Sequence, residues 1–262
     1  MFPGHPLGRE VLGSEQSVKT MTRDDVVDFF THWYRPANII VAAAGALNHD
    51  QVLAALDRYL ADGPSGERPT REPPGDQIVE VAAEQRPTEQ AHVAIGWRAF
   101  AADDPDRFAL AIANQVLGGG MASRLFQEIR EERGLAYSVY SSTSLFSDAG
   151  ALFAYAGTAP AKVDEVVSII DDQATRLAHE GITARELAVA AGYIEGALYL
   201  SLEDSGSRMV HLGRGELSPA PALSIDEQVE RIRAVTLEDV SHVLQRLLSG
   251  SRAIATVGGQ RS

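Results

Sequence analysis

Gly118-Gly119-Gly120-Met121-Ala122-Ser123-Arg124-Leu125-Phe126-Gln127-Glu128-Ile129-Arg130-Glu131-Glu132-Arg133-Gly134-Leu135-Ala136-Tyr137-Ser138-Val139-Tyr140 passes from helix to helix to strand within a short stretch of chain. Consecutive glycines resist helix because ordering them costs the most backbone entropy. They read as a flexible link between a helix over 105–117, C-capped at Leu117, and a second over 123–132, N-capped by Ser123. The β-favouring Tyr137, Val139, Tyr140 and Thr143 then predict a strand over 136–145, a turn at Ser147-Asp148-Ala149-Gly150 and a returning strand over 151–157. The glycines are a weak signal for phosphate binding, because no Gly-Lys-Ser/Thr follows them and no strand precedes them.

Outward from this hairpin, long helices fit 161–179 and 183–202, and strands fit 78–82 and 91–97. Residues 62–76 hold Pro64, Pro69, Pro73 and Pro74 with Gly63, Gly66 and Gly75, a composition that sustains neither helix nor strand and reads as an interdomain linker. Before it, Thr22 and Asp25 look like a helix cap ahead of Val26, Phe29, Phe30 and Trp33 at helical spacing. Ile39 to Ala44 reads as a buried strand stopped by Gly45, and Asn48 caps a helix carrying Val52, Leu53, Leu56 and Leu60. Thr236, Asp239, Val240 and the run ending Val257-Gly258-Gly259 repeat this opening at a constant offset of 214 residues (236 − 22 and 259 − 45). An echo that distant is no solenoid repeat and points to two related domains. The expected organisation is 1–61 as the end of a first domain, 62–76 as linker and 77–262 as a complete second domain. In that frame about 138 residues (215 − 77) of the first domain precede Met1. The fold class is α+β, with two related two-layer domains of mainly antiparallel sheet packed against helices, the first incomplete.

With 262 residues, 45% hydrophobic and 23% charged, the chain can bury a sizeable core. Its longest apolar run, from Ile39 to Leu47, is about half of the roughly 20 residues a spanning helix needs, so no membrane segment is expected. The first residues lack the basic start and apolar stretch of a secretory signal, which leaves the cytoplasm as the expected compartment. The absence of cysteine removes disulfides and thiolate metal ligands. A net charge of −13 disfavours nucleic acid and favours basic partners such as Lys- or Arg-rich peptides.

Metal hydrolysis requires histidines on one helix face with a carboxylate beside the metal-bound water. His5, His32, His49, His92, His179, His211 and His242 include no two residues three or four apart, so neither His-Glu-x-x-His nor His-x-x-Glu-His is present. A Gly-x-Ser-x-Gly nucleophile elbow is also absent; Ser205-Gly206-Ser207 is out of frame. No catalytic residue and no metal ligand is assigned to the chain.

The quoted stretch, together with His5-Pro6-Leu7-Gly8 and Leu12-Gly13, Tyr34-Arg35-Pro36-Ala37-Asn38, and Leu202-Glu203-Asp204-Ser205 with Arg208-Met209, resembles the pitrilysin and insulinase metallopeptidases. The resemblance is greatest to the C-terminal domain of their processing-peptidase branch and spans nearly the whole chain. It implies paired α+β domains that close over a peptide, with zinc held by His-x-x-Glu-His and a further glutamate early in the first domain. This chain lacks that part. The resemblance also implies that Arg130 and Tyr137 contact substrate near the zinc, and that Gly118, Gly119 and Gly120 form a short version of a loop for substrate admission or release.

Taken alone, Arg130 is better read as a partner for a glutamate on its own helix, and Tyr137 as a filler of a strand face, than as substrate contacts. As donors, a guanidinium and a phenol could orient a peptide carbonyl and stabilise developing negative charge. Two functions remain open. One is the non-zinc portion of a zinc endopeptidase, working with a zinc-bearing half or catalytic subunit; the other is a non-catalytic binding or assembly subunit of the same family. A partial first domain would also expose apolar surface and favour a homo-oligomer. Calorimetric titration of this chain with zinc is expected to show only adventitious binding; tight stoichiometric uptake would overturn the ligand assignment.

Overall fold

Alternation along the strands decides which side of the sheet is covered. In β2 (Ala91–Ala99), Val93, Ile95 and Trp97 are buried, and in β4 (Gly150–Thr158), Leu152, Ala154 and Ala156 point to the same core. With β1 (Val81–Glu84), β3 (Ala136–Leu145) and β5 (Arg252–Val257) they form one five-stranded sheet in the order β1-β5-β2-β4-β3. The β2/β4, β2/β5 and β3/β4 ladders are antiparallel and β1/β5 is parallel. The sheet is therefore mixed but mainly antiparallel. The computed structural model describes residues 1–262 except 61, 62, 64, 65, 67, 68 and 260–262.

Helices α1 (Glu15–Thr20), α2 (Arg23–Trp33) and α3 (His49–Leu60) precede the sheet. Between β2 and β3 come α4 (Arg107–Leu117) and a π-helical segment (Phe126–Glu132), and between β4 and β5 come α5 (Val163–Glu180), α6 (Ala184–Ser201), α7 (Ser205–Leu217), α8 (Ile225–Ala234) and α9 (Leu237–Leu248). One continuous core joins the sheet to α4, α5 and α9 through Ile112, Leu117, Ile170, Leu177, Val243 and Leu244. Each such fully buried side chain stabilises the fold by roughly 1.5–3 kcal/mol relative to exposure. α6 packs on α4, and α8 on α6. The N-terminal residues lie along the sheet away from this core, with the Phe2 ring against the Arg98 guanidinium at 4.1 Å and edge-on to Phe146 at 6.3 Å.

The two echoed caps have the same geometry. Thr22 N and Thr236 N each donate to the aspartate Oδ2 three residues on at 2.8 Å, and each threonine Oγ1 accepts from that aspartate's N–H at 3.2 Å. Their helices fare differently. α9 buries Val240, Val243, Leu244 and Leu247, whereas α2 buries nothing and leaves Phe29 and Phe30 59% and 58% exposed. Local sequence forms a helix in both places, but only α9 has a sheet beneath it.

Several expectations need correction. Ile39 to Ala44 is not a strand: Ile39, Ile40 and Val41 are exposed, and no described strand lies beside them to complete hydrogen bonds. The segment instead runs close to α7, where a Cβ on Gly213 would sit 3.3 Å from that of Ala42. The strand expected over 78–82 begins at Val81, because pairing with Ile254 of β5 sets its register. Residues 126–132 wind as π-helix rather than α-helix. α7 and α8 went unread, although Asp204 accepts from Ser207 N–H at 2.6 Å and Ser224 forms a capping box with Glu227. The linker lies partly outside the described residues. Its described remainder has no helix or strand, and Arg98 donates to Gly75 O at 2.8 Å.

Removing the cap of α9 by Thr236→Ala is expected to cost about 1 kcal/mol of stability in urea unfolding. Thr22→Ala should leave the main transition nearly unchanged, since α2 is outside the core.

Candidate functional site

The glycine turn is a close approach of backbones. Gly118 caps α4, and its carbonyl accepts from Ser141 N–H in β3 at 2.9 Å, where a Cβ would sit 2.5 Å from that nitrogen. A Cβ on Gly119 would meet Gln115 Cα at 2.6 Å. Ser123 does not cap with its hydroxyl as expected. That group turns back to donate to Gly120 O at 2.5 Å, while Gln127 Nε2 donates to Met121 O at 2.6 Å. The glycines fit a crowded turn, and their small size lets α4 meet β3.

Arg124 fixes the start of the next segment to the α5–α6 junction. Its Nε and Nη2 donate to the two oxygens of Glu186 at 2.7 and 3.0 Å, and Nη2 also reaches Gly181 O at 3.2 Å. Burial alone would raise the Glu186 carboxyl, but hydrogen bonds from Arg124 and Thr183 outweigh it and hold its pKa at about 2. Arg133 is likewise engaged, donating to Glu128 at 2.8 Å.

Arg130 and Tyr137 are brought together by two irregularities. The π-helical segment carries Arg130, and Gly134, at φ +61°, turns the chain into β3. There Ala136 pairs with Thr158 but Ser138 pairs with Gly157, so Tyr137 is the extra residue of a bulge and 80% exposed. The Arg130 guanidinium carbon lies 4.3 Å from the Tyr137 ring centroid and 4.8 Å from that of Phe126. Its one ion pair is with Glu131 at 3.7 Å, and among the described residues neither the guanidinium nor the Tyr137 hydroxyl makes a hydrogen bond. Sequence reasoning passed over Phe126. Its spacing of four from Arg130 was the available signal. Farther along β3, Tyr140 joins Phe153 and Tyr155, and the Tyr155 hydroxyl shares a 2.7 Å hydrogen bond with His92.

Among the described residues, no group of three or more His, Cys, Asp or Glu side chains could hold a metal. The histidines are dispersed: His92 meets Tyr155, His242 lies 3.6 Å from Asp106, and His5 engages Glu72 O at 2.9 Å. The described histidines and carboxylates therefore do not assemble a zinc donor set. No described helix is long and apolar enough to cross a membrane.

Residues 20–191 match the model of the peptidase M16 inactive domain. The chain belongs to the peptidase M16 inactive-domain family. An uncharacterized zinc protease of Mycobacterium tuberculosis is 40% identical to this M16 chain over 270 residues, covering 100% of the chain and 62% of the relative. One of Bacillus subtilis is 30% identical over 256 residues, covering 98% and 62%. The chain thus spans about 62% of the length of these relatives, whose names associate the family with zinc. A peptidase M16 inactive domain from Pseudomonas fluorescens superposes with a TM-score of 0.91 at 22% identity, covering all of this chain and 63% of that one. A chain of the Candida albicans complex III dimer gives 0.82 at 22% identity, covering 98% and 64%. Both share the fold of this chain.

Glu186 binds fewer protons folded than unfolded between its ordinary pKa of 4.5 and about 2. Its contribution is present above that ordinary value and is lost as pH falls through about 2. Partial exposure reduces it to about 1–2 kcal/mol. Glu186→Gln should therefore destabilise at pH 6, with the gap from the parent protein narrowing towards pH 3 in urea melts.

Proposed function

We propose that this chain is the non-zinc portion of a processing-peptidase-like zinc endopeptidase, which binds extended peptides through Arg130 and Tyr137. The supporting observation is the pair itself, with guanidinium and phenol ring 4.3 Å apart and, among the described residues, neither using its N–H or O–H groups in a hydrogen bond. Peptide carbonyls are the acceptors such donors fit, and a site that orients a carbonyl complements a metal-bound nucleophile supplied from elsewhere. Proteolysis then requires the zinc-bearing segment or a partner subunit. The exposed Phe29, Phe30 and Tyr34 of the α2 region support a covering partner, or failing one, self-association. The charge of −13 favours basic peptides and gives no support to nucleic-acid binding. The glycine turn, beside this pair in sequence, would border peptide admission.

Fluorescence anisotropy with a labelled, unstructured Lys-rich peptide tests this reading. Arg130→Ala should weaken binding by roughly tenfold or more, and Tyr137→Phe by about two- to tenfold. Unchanged affinity in both variants would remove the assignment.

A further inference from the structure

Among the described residues the Arg130 guanidinium has no hydrogen-bonding partner, yet it lies within cation–π range of two rings. Tyr137 is 80% exposed on a bulge, so it is a poor anchor by itself. Phe126 is different. It is half-buried, packs against the main core, and sits four residues before Arg130 on the same π-helical turn. That segment is fixed at one end by the Arg124–Glu186 ion pair and at the other by Leu135 N–H donating to Ile129 O at 2.8 Å. Ring and guanidinium therefore share one rigid support.

We propose that Phe126 is a positioning residue: its ring face holds the Arg130 guanidinium beside Tyr137, with the guanidinium N–H groups turned outward for a peptide carbonyl. The ring supplies attraction without using a donor. A carboxylate in its place would neutralise the cation and occupy the hydrogen bonds meant for substrate. Glu131, at 3.7 Å and more exposed than Arg130, competes weakly for the same group. Without the ring, the long arginine side chain recovers rotamer freedom that peptide binding must then remove. This inference rests on the peptide-binding reading of Arg130.

Phe126→Leu keeps the apolar packing and removes only the π face; Phe126→Trp restores it. Anisotropy with the same Lys-rich peptide should show Phe126→Leu weakening binding by about three- to tenfold, Phe126→Trp binding as the parent does, and Phe126→Leu adding nothing in the Arg130→Ala background. The Arg130 Nε–H NMR signal, shifted by the flanking rings, should move towards the ordinary arginine position in Phe126→Leu while the thermal midpoint stays close to the parent's. If Phe126→Leu binds normally while Arg130→Ala does not, the positioning role is overturned and the peptide reading stands. Equal weakening by Phe126→Leu with and without Arg130 also overturns it, since Phe126 would then act by another route. Should Arg130→Ala bind normally, the peptide reading falls and the inference with it.

Discussion

The sheet depends on its last strand. β5 lies between β1 and β2, so β1 has no hydrogen-bonded neighbour until the C-terminal residues arrive from across the chain. α9 enters with it and brings Val240, Val243, Leu244 and Leu247 beneath the same strands. Arg252, leading into β5, is clamped by Asp171 of α5 at 2.6 Å, and Arg246 of α9 pairs with Asp104 and Asp106 ahead of α4 at 3.2 and 3.0 Å. Contacts between parts so distant in sequence carry a large loop-closure cost before the core rewards them. The β3/β4 hairpin is more local; its outer strand β3 carries Tyr137, and the π-helical segment just before it carries Arg130.

The pair's surroundings show how an acidic protein can present an exposed cation. The arginines flanking it in sequence are engaged: Arg124 by Glu186 and Arg133 by Glu128. Arg130 is surrounded mainly by rings instead. Aromatic faces hold a guanidinium without neutralising it, so the charge and its donors persist at the surface.

Periodicity made most elements legible. The caps at Thr22 and Thr236 and the hairpin after Gly134 report local chemistry, and the structure agrees with them. The family was legible too, from the stretch around Arg130. Tertiary partners were not. Ile39, Ile40 and Val41 have strand chemistry without a strand beside them, and Val81 entered β1 because Ile254 selected it. The candidate pair was indicated by the family resemblance, not by residue types or spacing. Its geometry was hidden, because neither a π-helical turn nor a bulge leaves a periodic signature; both interrupt a period instead.

Those two interruptions have a consequence for which changes the chain can absorb. A π turn and a β-bulge each accommodate an extra residue in an otherwise regular element, and here they stand on either side of Gly134. Many side chains between Ser123 and Tyr140 could be exchanged while Arg130 and Tyr137 still met. Deleting a single residue is another matter. It would restore regularity to the helix or the strand and swing one partner out of reach, so this stretch is constrained more tightly in its length than in its lettering.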